Sequence, residues 1–168
     1  MTETIAARKI KLHDLRAKFS LQQVEDESFF PEWLDDLPIL TEAEKQALDR
    51  IKRNYLYLLE YPVMESIVKM VVLSPLLDLA GFYEPPFRVD VETEIKVSAM
   101  LAAPNSNKPI FGTVLNGSEF LFLKLVLGKI SQYATSDLFS LLNRGNNLYQ
   151  MLQFFKKIKQ LIQLPYRL

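Results

Sequence analysis

Residues 110–126 read IFGTVLNGSEFLFLKLV, and this stretch decides the fold. Two strand-like runs, Ile110 to Leu115 and Glu119 to Val126, flank Asn116-Gly117, a pair whose tolerance of positive φ suits a tight hairpin turn. The loop from Pro104 to Pro109, PNSNKP, leads in. Upstream, after Pro85-Pro86, the period is two: Phe87, Val89, Val91, Thr93, Ile95 and Val97 alternate with Arg88, Asp90, Glu92, Glu94, Lys96 and Ser98. That alternation predicts a long strand over 87–97 with one face on a core. Paired with the hairpin, it gives a sheet of about three strands, close to the smallest that holds together against a helix.

Before Pro85 the pattern is helical. Thr41 and Glu44 have the spacing of a capping box, and Leu48, Ile51, Tyr55 and Leu58 recur at three or four residues. A helix over about 42–60 follows, closed by Pro62. A second is expected over 63–73, stopped by Ser74-Pro75, with a short turn from Leu76 to Ala80 ending at Gly81. Ile5, Leu12, Leu15 and Phe19 suggest a short helix over 5–19. Between them, residues 25–36 read EDESFFPEWLDD, six carboxylates with Phe29, Phe30 and Trp33. Pro31 and Pro38 limit any helix there to a turn or two. The acids read as solvated surface and the aromatic residues as pins to the core.

After the hairpin, Ser136 is placed to cap a helix from Asp137 to about Leu142, broken by Gly145. Leu148, Met151, Leu152, Phe155, Ile158, Leu161 and Ile162 mark an amphipathic helix over about 147–163, with Lys156, Lys157 and Lys159 in its last turns. Those lysines have two readings: cations that complement the helix dipole, or contacts to nucleic-acid phosphates.

At 168 residues, with 49% hydrophobic and 24% charged residues, the chain fits a single globular domain of the α+β class. Its helical part covers 1–84, its sheet 87–126 and its C-terminal helices 136–163. No apolar run reaches the roughly 18 residues a membrane span needs, and charges interrupt the first 19 residues, so a cytoplasmic chain without membrane partners is expected. The absence of cysteine excludes disulfides, thiol chemistry and Cys-ligated metal sites. Net charge is zero but uneven: residues 1–100 hold 12 Lys+Arg and 18 Asp+Glu, residues 101–168 hold 8 and 2. The split fits complementarity within one fold, or a basic C-terminal face for a polyanion.

The only histidine, His13, lies in a charged N-terminal stretch, and no G-x-S-x-G, Walker or G-x-G-x-x-G motif occurs. What remains is carboxylate and lysine chemistry, in which acids hold Mg²⁺ and a lysine stabilises developing charge. Glu94-Ile95-Lys96, with Asp90 and Glu92 on the same strand face, has that composition. The same alternation is also what any half-exposed strand shows.

Four blocks carry a resemblance: FPEWLDDLPILTEAEKQALDRIKRNYLYL (30–58), VKMVVLSPLLDLAGFYEPPFRV (68–89), MLAAPNSNKPIFGTVLNGSEFLFLKL (100–125) and SDLFSLLNRGNNLYQMLQFFKKI (136–158). They resemble a cyanobacterial family of restriction endonuclease-like proteins, related to the N-terminal nuclease domain of type I restriction enzyme R subunits. The resemblance spans nearly the whole chain and implies a PD-(D/E)xK nuclease fold, a mixed sheet flanked by helices with Mg²⁺ held by acids from two central strands. In relatives the strand matching Phe87 to Val97 is followed by a strand with the metal-binding aspartate, a strand ending in E-x-K, and a helix. Here Val97-Ser98 runs straight into Ala99-Met100-Leu101. Glu94 and Lys96 precede that gap and do not match the family motif, so its catalytic role is not carried over to them.

The resulting expectation is a truncated restriction endonuclease-like core, nuclease-dead and without a cofactor. Two alternatives stand beside it: an active Mg-dependent nuclease with a rebuilt site at Asp90, Glu92, Glu94 and Lys96, and a non-catalytic module. That module would bind DNA through Lys156, Lys157 and Lys159, or a protein or second copy through an exposed sheet edge.

Overall fold

The computed structural model describes residues 21–62, 64–85, 87 and 109–163. The chain is α+β, and among the described residues its mixed sheet has five strands, somewhat more than the three or so expected. They are β1 (Leu21–Gln23), β2 (Ile110–Asn116), β3 (Glu119–Val126), β4 (Ser131–Thr135) and β5 (Phe139–Ser140). The order is β1-β4-β3-β2, with β5 also on β3. β1 runs parallel to β4 and the other pairs are antiparallel. The strand expected over 87–97 and the helix expected over 5–19 lie outside the described residues.

The hairpin forms with its turn one residue later than the sequence suggests. Asn116 pairs with Glu119, leaving Gly117 and Ser118 as the loop. Gly117 has φ 58°, while Ser118 is not left-handed. This matches a type II′ turn, which needs glycine at its first central position.

A helix over 137–142 is absent. The stretch instead extends the sheet, because β4 and β5 are one strand interrupted by a bulge. Leu123 faces Thr135 and Phe120 faces Phe139, so the register slips by one between the two pairings. With Ser136 opposite Phe122, Asp137 and Leu138 together face Leu121, two residues against one. Ser136 closes the gap: its amide donates to the Phe122 carbonyl (3.0 Å) and its Oγ accepts from the Phe122 amide (3.0 Å), standing in for a missing ladder carbonyl. The serine that reads as a helix cap satisfies a strand.

Helix α1 (Glu42–Leu58) starts on the expected capping box. The Glu44 amide donates to Thr41 Oγ1 (3.2 Å) and the Thr41 amide to Glu44 Oε2 (2.7 Å). Its buried stripe is Leu48, Ile51 and Tyr55. Burial pushes the Tyr55 phenol up, against the lowering effect of its hydrogen bond to Ser118 in the hairpin turn.

Pro75 does not stop the second helix. Glu65–Val68 (α2) passes through a π turn, Lys69–Leu73, into Ser74–Leu79 (α3). In a regular α-helix the Pro75 ring would crowd the carbonyl of Val71. The wider turn, with the Ser74 amide bonded to Lys69 O, absorbs that conflict. It also keeps Val68, Val72, Leu76 and Ala80 all buried, although a four-residue repeat drifts about 40° per step in a regular helix. The expected stop comes at Gly81, at φ 78°. There the Phe82 amide bonds Leu77 O (2.9 Å) and the Gly81 amide bonds Asp78 O (2.8 Å), a Schellman closure.

Helix α4 (Leu148–Gln163) buries Leu148, Met151, Leu152, Phe154, Phe155 and Ile158 against the sheet and the other helices. Phe122 of β3 stacks on Phe154 at 4.0 Å between ring centres and touches Phe139 and Phe155 edge-on or tilted. This aromatic cluster is the centre of the core. No helix among the described residues is long and apolar enough to cross a membrane.

Candidate functional site

The three lysines of α4 turn to three different elements. Lys156 Nζ donates to Glu44 Oε1 at 2.5 Å, Lys157 Nζ to the Asp36 carbonyl at 3.2 Å, and Lys159 Nζ lies 3.7 Å from Glu84 Oε2 and 5.7 Å from the Phe87 ring centre. Each ammonium already faces an oxygen of its own chain. The lysines lie in the last two described turns of α4, and the final one, 160–163, holds no basic residue, so any pull of the dipole on them is reduced. Their described work is to tie α4 to α1, to the 25–36 segment and to the end of α3.

Asp90, Glu92, Glu94 and Lys96 lie outside the described residues. Among the described residues, no three His, Asp or Glu side chains are grouped to hold a metal ion.

Among the described residues, one concave site is a cleft of about 450 Å³, within the size range of ligand-binding pockets. One wall is the chain leaving β1, Gln23 to Glu27. The opposite wall is the end of β4 and its bulge, Ala134, Thr135 and Asp137. Phe30, Trp33 and Leu34 complete the lining.

Local chemistry holds this shape. Asp26 Oδ1 accepts from the Ser28 amide (2.9 Å), and the Phe29 amide donates to Asp26 O (3.0 Å), which makes a 3-10 turn over Glu27–Phe29. Hydrogen bonding to Ser28 holds the Asp26 carboxyl below its ordinary value, so it is charged at neutral pH. Pro31 begins a second turn, Pro31–Trp33, closed by the Leu34 amide on Pro31 O (2.9 Å). Phe30 is buried, within 6.1 Å of Phe111 and 5.9 Å of Phe154, and Trp33 stands edge-on to Phe139 at 6.0 Å. The expectation that these rings pin the segment to the core is met.

A buried ion pair adds a further anchor. Lys124 follows Phe120 and Phe122 on the core face of β3, with its side chain 11% exposed. Its Nζ donates to Glu32 Oε1 (2.6 Å) and to the Phe29 carbonyl (2.7 Å), between the rings of Phe29 and Phe111. Among the described residues, the buried Glu32 Oε2 has no hydrogen-bond partner. Sequence reasoning passed over this pair, although a lysine two residues after Phe122 on an alternating strand is the mark of a cation on the apolar face.

Four carboxylates, Glu25, Asp26, Glu27 and Asp137, line the cleft, and among the described residues no lysine or arginine does. Three of the four stand in the acidic stretch read from sequence as solvated surface, and all four are exposed, as that reading expects; the pairing of β1 with β4 sets them along the rim of the cleft. A second, more open groove of about 490 Å³ lies between Arg53, Asn54, Tyr57, Leu58 and Val71. Exposed Tyr61, Met64 and Met70 belong to the same helical corner.

The chain was compared with family models, curated proteins and solved structures, and none of the three comparisons finds a match.

Proposed function

We propose that this chain is a non-catalytic binding module of restriction endonuclease-like descent, which no longer cuts DNA and acts by holding a partner. The observation that carries the reading is the acid-lined, apolar-walled cleft between the 23–34 segment and β4. Its sign of charge suits a protein partner and opposes a phosphate backbone. The internal engagement of Lys156, Lys157 and Lys159 supports the same preference, since contacting phosphates would require surrendering Glu44, Asp36 and Glu84. The family resemblance supplies the descent, and the gap after Val97 supplies the loss of cutting.

The test is incubation of the full chain with supercoiled and linear DNA in Mg²⁺ and in Mn²⁺, with a retardation assay at low salt. The expected result is neither cleavage nor a shift. Cleavage abolished by Glu94→Ala would overturn the reading in favour of a nuclease with Asp90, Glu92 and Lys96 around the metal. A salt-sensitive shift lost on neutralising Lys156, Lys157 and Lys159 would overturn the preference for protein.

A further inference from the structure

We propose that the cleft takes a basic peptide segment, with an arginine or lysine side chain against Trp33 and its charge met by Glu25, Glu27 and Asp137. This inference rests on the binding-module reading above and names the class of partner.

The walls set two requirements. Val24, Phe30, Trp33, Leu34 and Ala134 give the cleft an apolar lining, and Leu34 remains half-exposed, so an aliphatic group gains by covering it. The carboxylates from two opposed walls have no lysine or arginine among the lining residues, so an occupant bearing negative charge would meet repulsion from both sides. A small apolar ligand would leave the carboxylates unanswered, whereas a chain alternating cationic and aliphatic side chains answers both surfaces. A guanidinium or ammonium also gains from the face of an indole, which carries the negative end of the ring quadrupole.

The other grooves do not compete for this occupant. The corner at Tyr57 and Val71 presents Arg53 and no acid among its lining residues. The oxygens around Lys156, Lys157 and Lys159 already have their cations.

The experiment is an amide-resolved NMR titration of the full chain with three capped pentapeptides, alternating leucine with arginine, with glutamate, or with serine. The arginine peptide is expected to shift the amides of Val24, Glu25, Ala134 and Thr135 and the Trp33 indole N–H. Combined Glu25→Gln, Glu27→Gln and Asp137→Asn should weaken that binding about tenfold, a modest loss because the charge pairs are exposed. Asp26 is left intact because it caps the turn. Trp33→Leu, which keeps an apolar wall, should weaken the arginine peptide more than the serine peptide.

Equal shifts from the glutamate peptide would overturn the basic class while leaving a binding cleft. Shifts confined to Arg53 and Tyr57, or none at millimolar peptide, would overturn the assignment of the cleft. Concentration-dependent shifts of the same amides without peptide would overturn it in favour of a second copy. Failure of the module reading is seen separately, as DNA cleavage in the metal assay.

Discussion

Lys156 on α4 and Glu44 on α1 meet at 2.5 Å, and the carboxylate that receives the ammonium is the one that closes the capping box of α1. One side chain therefore starts a helix and docks it. Partial burial alone would raise the Glu44 carboxyl, but the hydrogen bonds from Lys156 and Thr41, with the Lys156 charge, hold it below its ordinary value.

The sign of the pH dependence follows. A carboxyl depressed in the folded state adds stability above its unfolded value, near 4.5, and loses that stability as pH falls through the folded value. Glu44→Gln keeps a residue able to close the capping box and removes only the charge. Urea unfolding should show a loss of about 1–2 kcal/mol at pH 7, from a charge-assisted hydrogen bond. The difference from the parent chain should shrink on acidification below pH 4. A difference that stays constant with pH would mean the ion pair contributes nothing.

The Lys124–Glu32 pair makes an asymmetric prediction. Lys124→Ala leaves a buried carboxylate and the Phe29 carbonyl without their donor, a change expected to cost about 3–5 kcal/mol. Replacing both partners by apolar residues of similar shape, Lys124→Met with Glu32→Leu, removes the charges together and should cost much less. Denaturant midpoints of Lys124→Met, Glu32→Leu and the double variant form the cycle that measures this. A double variant as unstable as Lys124→Ala would count against a stranded charge as the cause.

Asp49 and Tyr149 join α1 to the first turn of α4 at 2.9 Å, and Asn146 donates to the same carboxylate at 2.8 Å. The hydrogen bond to Asp49 raises the Tyr149 phenol above 10, and the hydrogen bonds from Asn146 and Tyr149 lower Asp49. In Asp49→Asn, ultraviolet titration of the phenols should show one tyrosine moving back toward its ordinary value. Tyr149→Phe should delete that same transition and no other.

What the sequence exposed and what it hid divide along physical lines. The α1 cap, the α1 and α4 stripes, the glycine closing α3 and both strands of the hairpin are local signals, written within a few residues of the element they form. Strands β1, β4 and β5 are two to five residues long and form by pairing with strands distant in the chain, so Leu21–Gln23 and Ser131–Thr135 carry little periodicity of their own. Pro75 stops a regular helix by rule, and the π turn just before the ring is the exception that sequence spacing does not announce. The cleft was legible only as ingredients. Its acids and rings are in the quoted 25–36 stretch, but Asp137 and Ala134 reach it only through the bulged strand.

Ser136 gives the most local test of that bulge. It is 7% exposed; its Oγ accepts from the Phe122 amide and donates to the Asp137 carbonyl at 2.7 Å. Ser136→Ala removes the acceptor and leaves the Phe122 amide unpaired beside the ring that stacks on Phe154. The cost should be about 1–3 kcal/mol, the penalty for an unsatisfied buried donor, whereas Ser136→Thr keeps the hydroxyl. Amide hydrogen exchange at Phe122 should accelerate in the alanine variant far more than at Lys124, which faces Ala134 two residues along the same ladder. Because Asp137 lines the cleft, the same variant should also weaken the arginine peptide while leaving helices α1 and α4 intact by circular dichroism. Equal exchange rates at Phe122 in parent and variant would remove the serine from the ladder and return the bulge to a purely backbone device.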